Sequence, residues 1–498
     1  MLWYGLIYYF IFIFILFLFL FYFFKIIYKS TLNKINIFFL LSRFILSLYI
    51  FFFFILLFFL YQIFEFFINL NLVLMSKGSG SNFNFYYFDN FLYNFFFIFS
   101  NLNINLSQIY YFPFIYIFLL ITILSIFFCL SYNVNELISF TFYCSIILFF
   151  GYVLFFTDSL IIFFLSYEML LIPSFFILYK FAKTRRCVEA AYLMFFWTQF
   201  GALFLIFSFL YLFFITNSSS FLMINKYVFS NFEINFLFIC WIIGFGVKLP
   251  IWPFYGWLPK AHVEASTNFS IFLSGVLVKF AFFGLIKCLI VLQIEPTFYY
   301  IYPILTIGLV DAVFKLFYQI DLKKLVAYST VVEMHWLTMC VISGQSALML
   351  ASFCMLISHA LLSTNSFLIV DAINRRFKTR LITEISGINF LCPKLFLVAL
   401  FNLLIFLGFP GSIFFIAEFL FFSFFFDLSP FLTFFFLVLL YLLAPTFFFR
   451  SWMNVLFGLS NKIFKKIPLD LNSKEVLIYL GLLILMFWLG LSWQSFIF

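Results

Sequence analysis

The sequence predicts an all-helical, polytopic membrane protein with about fourteen transmembrane helices. Hydrophobic residues make up 67% of the 498 positions and charged residues only 9%, whereas charged residues are about 25% of a typical soluble protein. These charged residues are too few to cover the surface of a soluble protein. Most of the chain is therefore expected to lie in lipid. Apolar runs of about 20 residues, the length of a helix that spans the hydrocarbon core, recur along the chain.

Fourteen such runs define predicted membrane helices 1 to 14, numbered in chain order. They are 2–24, 36–62, 111–131, 137–156, 159–180, 190–215, 234–258, 268–292, 299–318, 325–342, 347–370, 394–426, 429–449 and 475–495. The first run contains no charge, which favours a membrane helix over a cleavable leader or an Arg-rich transit peptide. Residues 63–110, rich in Asn, Phe and Tyr, are predicted to form a long loop outside the membrane, the alternative being that they contain a short interfacial helix.

Basic residues are concentrated in the loops that follow odd-numbered helices, which carry nineteen of them, against three after even-numbered helices. The nineteen are Lys25, Lys29, Lys34, Lys180, Lys183, Arg185, Arg186, Lys260, Lys323, Lys324, Arg375, Arg376, Lys378, Arg380, Arg450, Lys462, Lys465, Lys466 and Lys474. Loops rich in Lys and Arg face the compartment of synthesis, which places both termini on the opposite side. This bias also accounts for the net charge of +9, so nucleic-acid binding is not implied.

Redox and nucleotide chemistry have no visible site on this chain. The eight cysteines are scattered without a C-x-x-C pair, and there are only three histidines, so we expect no metal or iron–sulfur site. No Walker loop, dinucleotide fingerprint or zinc-protease motif is present. Phe contributes 95 residues and Gly only 18. This composition is typical of an A/T-rich genome, such as many mitochondrial genomes, and favours synthesis in the organelle.

Ionisable residues inside the apolar runs are the candidate functional groups. They are Glu168, Lys248, Lys279, Glu333, His359 and Glu418, with His335, Asp311 and His262 as possible accessory groups. A charge at the bilayer centre costs about 2.5–3.5 kcal/mol on insertion scales. Five of the first six lie near the midpoint of five different helices, which predicts a proton relay. The alternative is that they form buried ion pairs that only fix helix packing.

Two of the predicted helices are expected to be interrupted, the alternative for each being a simple proline kink. Helix 7 contains Gly246, Pro250 and Pro253, and helix 12 contains Gly408 and Pro410. A proline removes a backbone donor and clashes with the preceding helical turn, so carbonyl groups are freed there. Freed backbone groups at membrane depth need water or polar side chains, and interrupted helices in two halves of a chain are typical of inverted-repeat transporters.

The residues at these interruptions carry a family resemblance. The stretch VKLPIWPFYGWLPKAHVEA, at 247–265, resembles the antiporter-like membrane subunits of the proton-pumping NADH:ubiquinone oxidoreductase, respiratory complex I. Further matches are Tyr167-Glu168 with Ile172-Pro173, Leu277-Val278-Lys279, Asp321–Ser329, Ile357-Ser358-His359 and Gly408–Gly411 with Glu418-Phe419. A glutamate at position 418 resembles the chain 4 branch of the family, because chains 2 and 5 have lysine there.

The resemblance implies an architecture and roles for the buried groups. It implies two inverted five-helix repeats, 137–292 and 293–450, each with a broken helix, flanked by 1–136 and 451–498. It implies that Glu168 pairs with Lys248, that Lys279 is the central relay lysine, and that Glu418 ends the relay toward the next subunit. Glu333 departs from the family, which has histidine there, and His335 stands where the family has glycine or alanine.

The resemblance also implies a proton-translocating subunit of an enzyme that couples NADH oxidation by quinone to proton pumping. FMN, iron–sulfur clusters and ubiquinone are then expected on other subunits. The expected partners are other membrane-arm subunits, including chain 2-like and chain 5-like paralogues, and phospholipids such as cardiolipin. The expected location is the mitochondrial inner membrane, with both termini toward the intermembrane space. The alternatives are a subunit of an Mrp-type cation/proton antiporter and a purely structural membrane subunit.

Overall fold

The computed structural model describes residues 112–128, 134–181, 184–291, 299–458 and 470–492. Within these ranges the regular structure is helical and there is no strand, which confirms the predicted all-α class. Predicted helices 1 and 2 and the loop 63–110 lie outside the described residues.

The described chain contains nineteen α-helices. They are α1 (Phe112–Phe128), α2 (Val134–Phe156), α3 (Leu160–Met169), α4 (Leu171–Lys180), α5 (Arg185–Thr216), α6 (Phe221–Ile224), α7 (Asn231–Lys248), α8 (Trp257–Glu264), α9 (Thr267–Phe272), α10 (Val278–Val291), α11 (Tyr302–Phe317), α12 (Leu322–Ile342), α13 (Ser346–Phe377), α14 (Ile388–Leu391), α15 (Pro393–Phe406), α16 (Ile413–Leu428), α17 (Pro430–Phe436), α18 (Ala444–Phe457) and α19 (Ser473–Leu491).

These helices match predicted membrane helices 3 to 14, and we keep those numbers for the membrane helices. Helices 3, 4, 6, 9, 10, 11 and 14 correspond to α1, α2, α5, α11, α12, α13 and α19. Helix 5 is α3 with α4, helix 7 is α7 with α8, and helix 12 is α15 with α16. Helices 8 and 13 each contain a π-helical segment, Leu273–Leu277 and Leu437–Leu443, between two α-helices. In the described part of the chain, eight helical segments are long and apolar enough to cross a membrane.

Contacts between loops show that successive membrane helices run in opposite directions. After helix 5, Thr184 and Cys187 contact Glu264 at the end of helix 7. Arg380, after helix 11, forms an ion pair with Asp321, after helix 9, at 2.7 Å. Loops after odd-numbered helices therefore share one face. On the other face, the backbone N–H of Leu160, after helix 4, donates to the carbonyl of Ser219, after helix 6.

The same features recur in helices 4–8 and in helices 9–13. Helices 6 and 11 each contain 32 residues and end at a residue in the left-handed region, with φ of 49° at Asn217 and 61° at Lys378. Isolated antiparallel bridges join Ser159 to Ser220 and Asp321 to Leu381. Because the first bridge lies between even-side loops and the second between odd-side loops, the second set of five helices is inverted relative to the first.

Both predicted helix interruptions are present. The helix α7 ends at Lys248 and α8 begins at Trp257, while α15 ends at Phe406 and α16 begins at Ile413. Pro250, Pro253 and Pro410 lie within the two gaps, where the missing N–H groups and ring clashes prevent a continuous helix. Within helix 12, α16 has an N-terminal cap. Ser412 Oγ accepts a hydrogen bond from the backbone N–H of Phe415.

Helices 8, 10 and 11 form the centre of the described bundle. The helix 8 segment Thr267–Val291 is buried over most of its length, as are Leu322–Ile342 and Ser346–Phe377. Aromatic packing encloses helix 8. The ring of Phe280 contacts Phe118 and Phe155 at centroid distances of 5.3 and 5.4 Å. Ionisable side chains on these three helices are therefore held away from lipid, inside protein.

Candidate functional site

Three buried ionisable side chains from helices 8, 10 and 11 lie in series. The Nζ atom of Lys279 is 2.6 Å from Nδ1 of His359, and Nε2 of the same imidazole is 3.7 Å from Oε2 of Glu333. The three residues are 0%, 2% and 4% exposed. A protonated Lys279 donates to Nδ1, and the ring hydrogen of a neutral His359 is then on Nε2, the nitrogen nearest the Glu333 carboxylate.

A π-helical turn precedes Lys279 and shapes its surroundings. The turn spans Leu273–Leu277 and widens helix 8 just before the lysine, and such turns occur frequently at functional sites. The Nζ atom of Lys279 also donates to the backbone carbonyl of Ser274. The lysine is thus held between a carbonyl of its own helix and the imidazole of helix 11. Sequence analysis did not predict this turn.

A small cavity connects Glu333 to Glu418. Its volume is about 20 Å³, and both carboxylates line it, with Trp336, Phe406 and Phe414 among the apolar walls. A cavity that holds one water molecule needs a volume of about 10–15 Å³. This cavity therefore has room for a single water. The Oε2 atoms of both glutamates are buried and have no hydrogen-bond partner among the described residues. Both carboxyl groups thus line one space of the size of a water molecule.

Gly408, in the interruption of helix 12, lies against Glu418. Its φ is +73°, and a Cβ added to it would lie 2.4 Å from Oε2 of Glu418. The interruption therefore leaves space for this carboxylate because the residue beside it has no side chain. Pro410 lies in the same gap.

The glutamate of helix 5 and the lysine of helix 7 lie close together but are not in direct contact. Lys248 Nζ donates to the backbone carbonyl of Tyr167 at 2.9 Å and lies 3.3 Å from the centroid of that ring. Oε2 of Glu168 accepts a hydrogen bond from Nε2 of Gln199 at 3.0 Å. No ion pair within 4.0 Å joins Glu168 to Lys248 in the described residues, so the direct contacts of the two side chains are with Gln199 and Tyr167, and the pairing implied by the resemblance stays a prediction.

The three accessory candidates occupy different surroundings. His262 on α8 is fully buried and stacks on Phe367 at 4.9 Å, and neither ring nitrogen has a partner among the described residues. His335 bonds two backbone groups, those of Trp252 and Val331. Asp311 forms an ion pair with Lys315 at 2.8 Å. None of the three is bonded to the Lys279–His359–Glu333 series.

Sequence analysis missed several polar groups that support the site. Lys323 is buried and donates to the carbonyl of Ala265 at 2.5 Å, which satisfies the end of α8. Asn365 and Asn402 bond each other at 3.0 Å and join helix 11 to helix 12. The signal that marks the two asparagines is a polar side chain within an apolar run. For Lys323, its place next to a predicted loop favoured a solvent-exposed residue.

The arrangement is suited to moving protons. An imidazole can take a proton at one nitrogen and release a proton from the other, and its ordinary pKa lies near neutrality. His359 has a proton donor at one nitrogen and a carboxylate at the other. As for metals, no group of three His, Cys, Asp or Glu side chains converges in the described ranges.

Comparisons with known proteins agree on one family. A family model described as NADH:quinone oxidoreductase/Mrp antiporter, TM, matches residues 157–444. The chain is 35% identical over 334 residues to NADH-ubiquinone oxidoreductase chain 4 of Paramecium tetraurelia, covering 66% of this chain and 70% of that protein. Many further curated proteins are similar as well.

Solved structures show the same fold. A chain of respiratory complex I from Thermus thermophilus superposes with a TM-score of 0.68 at 19% identity, covering 77% of this chain and 82% of that one. A chain of the Mrp complex from Dietzia sp. DQ12-45-1b also gives 0.68, at 14% identity, covering 77% and 81%. Since the two scores are equal, the fold alone does not distinguish the two kinds of complex.

Proposed function

This chain belongs to the family of NADH:quinone oxidoreductase and Mrp antiporter membrane subunits, and we propose that it translocates protons in the membrane arm of a mitochondrial NADH:ubiquinone oxidoreductase. The curated relative named above is a chain 4 of that enzyme, which favours it over an Mrp antiporter. The chain acts as one subunit of the enzyme, and we place FMN, iron–sulfur clusters and ubiquinone on other subunits.

The observation that supports this proposal best is the buried series from helix 8 to helix 12. Lys279, His359 and Glu333 follow one another within 3.7 Å, and a cavity for one water links Glu333 to Glu418. Buried ionisable groups are costly in a membrane and mark proton pathways. We propose that a proton passes from Lys279 through His359 and Glu333 to Glu418, or in reverse, as the protonation states of neighbours change.

The first cluster, Glu168 with Lys248, lies apart from this series. No hydrogen bond joins the two groups of residues in the described chain. We propose that the charge state of Lys248 controls Lys279 electrostatically or through water, because coupled titrating groups exchange protons when a neighbour changes state. Lys248 and Lys279 both lie in the first proposed repeat, 137–292, and the series continues from Lys279 into the second, 293–450.

The assembly and location are also proposed. The partners are the other membrane-arm subunits, including chain 2-like and chain 5-like paralogues, with anionic lipids such as cardiolipin at the basic loops. The membrane is the mitochondrial inner membrane, and both termini face the intermembrane space. The shared face of the loops after helices 5, 7, 9 and 11 supports this orientation, because those loops carry the excess of Lys and Arg.

Lys279→Met in the assembled enzyme tests the function. We expect normal assembly, normal membrane insertion and loss of the pumping that depends on this subunit, measured as protons moved per electron in reconstituted vesicles. Unchanged pumping in the assembled Lys279→Met variant would mean that the chain is a purely structural subunit. An Mrp-type function predicts instead that the chain purifies with cation/proton antiport subunits and without NADH dehydrogenase activity, which a native gel stained for that activity detects.

A further inference from the structure

The imidazole of His335 binds the interruption of helix 7. Nε2 of His335 accepts a hydrogen bond from the backbone N–H of Trp252 at 2.9 Å. On the other side of the ring, Nδ1 lies 2.8 Å from the carbonyl of Val331, one turn earlier in the same helix. An acceptor at Nε2 and a donor at Nδ1 define a neutral ring in a single tautomer. Both nitrogens are occupied, so His335 is not available to pass protons in this arrangement.

The interruption has one backbone donor that depends on this ring. The N–H groups of Leu249, Ile251 and Phe254 donate to carbonyls of Phe245, Gly246 and Ile251, inside the same segment. Pro250 and Pro253 have no N–H group. Among the N–H groups from Leu249 to Phe254, that of Trp252 is the one whose partner lies on another membrane helix, helix 10. Irregular backbone in a membrane protein needs such partners, because an unsatisfied group is costly there.

Helix 9 leaves room for this contact through a glycine. A Cβ added to Gly308 would lie 2.3 Å from Nε2 of His335 and 2.4 Å from Cβ of Trp252. Tyr255, three residues beyond Trp252, packs edge-on against the imidazole with centroids 6.1 Å apart. Its hydroxyl bonds Asp311 on helix 9. The gap in helix 7 is therefore held by helices 9 and 10 together.

We propose that His335 is a positioning residue of the proton relay, which fixes the interruption of helix 7 and with it Lys248, four residues before Trp252. Helix 10 carries Glu333 two residues earlier, about 200° around the helix. Helix 10 thus carries the relay carboxylate of Glu333 on one side and His335, which binds the gap in helix 7, on another. This inference rests on the proposed function and adds a link between its two clusters.

A matched pair of variants tests the role. His335→Gln keeps an acceptor oxygen at the end of a side chain, whereas His335→Met has similar length with only a weakly accepting sulfur. In the assembled enzyme, we expect the glutamine variant to keep the proton-to-electron ratio and the methionine variant to lower it. Loss of the acceptor should also speed hydrogen exchange of the Trp252 amide by about tenfold or more, the effect of leaving a donor unsatisfied.

Gly308→Ala is the second variant and changes no hydrogen-bonding group. Its Cβ would push the imidazole away from Trp252, so we expect faster exchange of the same amide and the same loss of pumping. Gly308→Ala also takes the place of His335→Met in the test if the methionine variant does not assemble. Equal exchange and equal pumping in the glutamine and methionine variants, or unchanged exchange in Gly308→Ala, would overturn the inference.

Lys279→Met, measured in parallel, separates this inference from the proposed function. If Lys279→Met pumps normally, the proposed function fails whatever the His335 variants do. If Lys279→Met does not pump while His335→Met pumps and exchanges as the wild type does, only the positioning role of His335 fails.

Discussion

The ammonium nitrogen of Lys279 lies 2.6 Å from Nδ1 of His359, so a lysine of helix 8 donates directly into an imidazole of helix 11. The two residues are 80 positions apart in the chain and both are buried. This contact orients the other ring nitrogen toward Glu333 at 3.7 Å. A short movement of either side chain would complete a hydrogen bond and pass a proton across the ring.

The first prediction concerns His359. His359→Gln keeps a polar side chain but removes the group that takes a proton on one atom and releases it from another. We expect the rate of coupled proton transfer to fall by about 100-fold or more, the usual contribution of a positioned acid–base group, with assembly retained. Ser358→Ala is the control, because among the described residues the Ser358 hydroxyl bonds only groups of Met355 in its own helix. Pumping by His359→Gln at the control rate would contradict the relay.

The sequence predicted the elements and the ionisable residues better than their contacts. The spans and both interruptions could be predicted because hydrophobic length and proline act locally. By contrast, whether Lys248 meets Glu168 or the carbonyl of Tyr167 depends on the relative rotation of helices 5 and 7, on which periodicity gives no information. The π-helical turn before Lys279 could not be predicted either, because its residues are as apolar as those of an α-helix.

The second prediction concerns Glu333, at a position where the family resemblance implies histidine. The carboxylate lies between His359 and the cavity shared with Glu418. We expect Glu333→His to retain pumping, since an imidazole also carries a proton, and Glu333→Leu to abolish it. Both are compared as protons per electron in vesicles containing assembled enzyme. If the leucine variant pumps normally, the path bypasses helix 10.

The third prediction concerns Glu168. The carboxylate lies in the residue next to Tyr167, whose carbonyl accepts from Lys248, and it stabilises the positive charge of that lysine through space. We expect Glu168→Gln to assemble, because Gln199 can still bond an amide oxygen at this position, and to reduce coupled proton transfer strongly. Gln199→Leu, which removes the partner but keeps the charge, should have the smaller effect. The reverse order of the two effects would mean that the hydrogen bond matters more than the charge.

The fourth prediction concerns sidedness. Arg376, in the last turn of helix 11, forms an ion pair with Glu475 at the start of helix 14 at 2.5 Å, so helix 14 begins on the face shared by the loops after odd-numbered helices, and the 459–474 loop is expected on the same side. We expect protease to cut that loop only from the matrix face of inner-membrane vesicles of known orientation. Cleavage from the intermembrane side would reverse the orientation of the whole helix set.

The last prediction concerns Gly408, which faces the end of the relay. Its φ of +73° is in the left-handed region, which costs a residue with a side chain about 1–2 kcal/mol, and a Cβ there would lie 2.4 Å from Oε2 of Glu418. Gly408→Ala should therefore destabilise the interruption of helix 12 and displace the carboxylate from the cavity it shares with Glu333. We expect reduced proton transfer with assembled enzyme still present. Gly411→Ala is the control, because its φ is also positive, at +88°, but its added Cβ would meet only the side chain of Leu491, at an ordinary 3.8 Å. If the two variants lose pumping equally, backbone strain alone explains the loss, and the contact between Gly408 and Glu418 has no part in the relay.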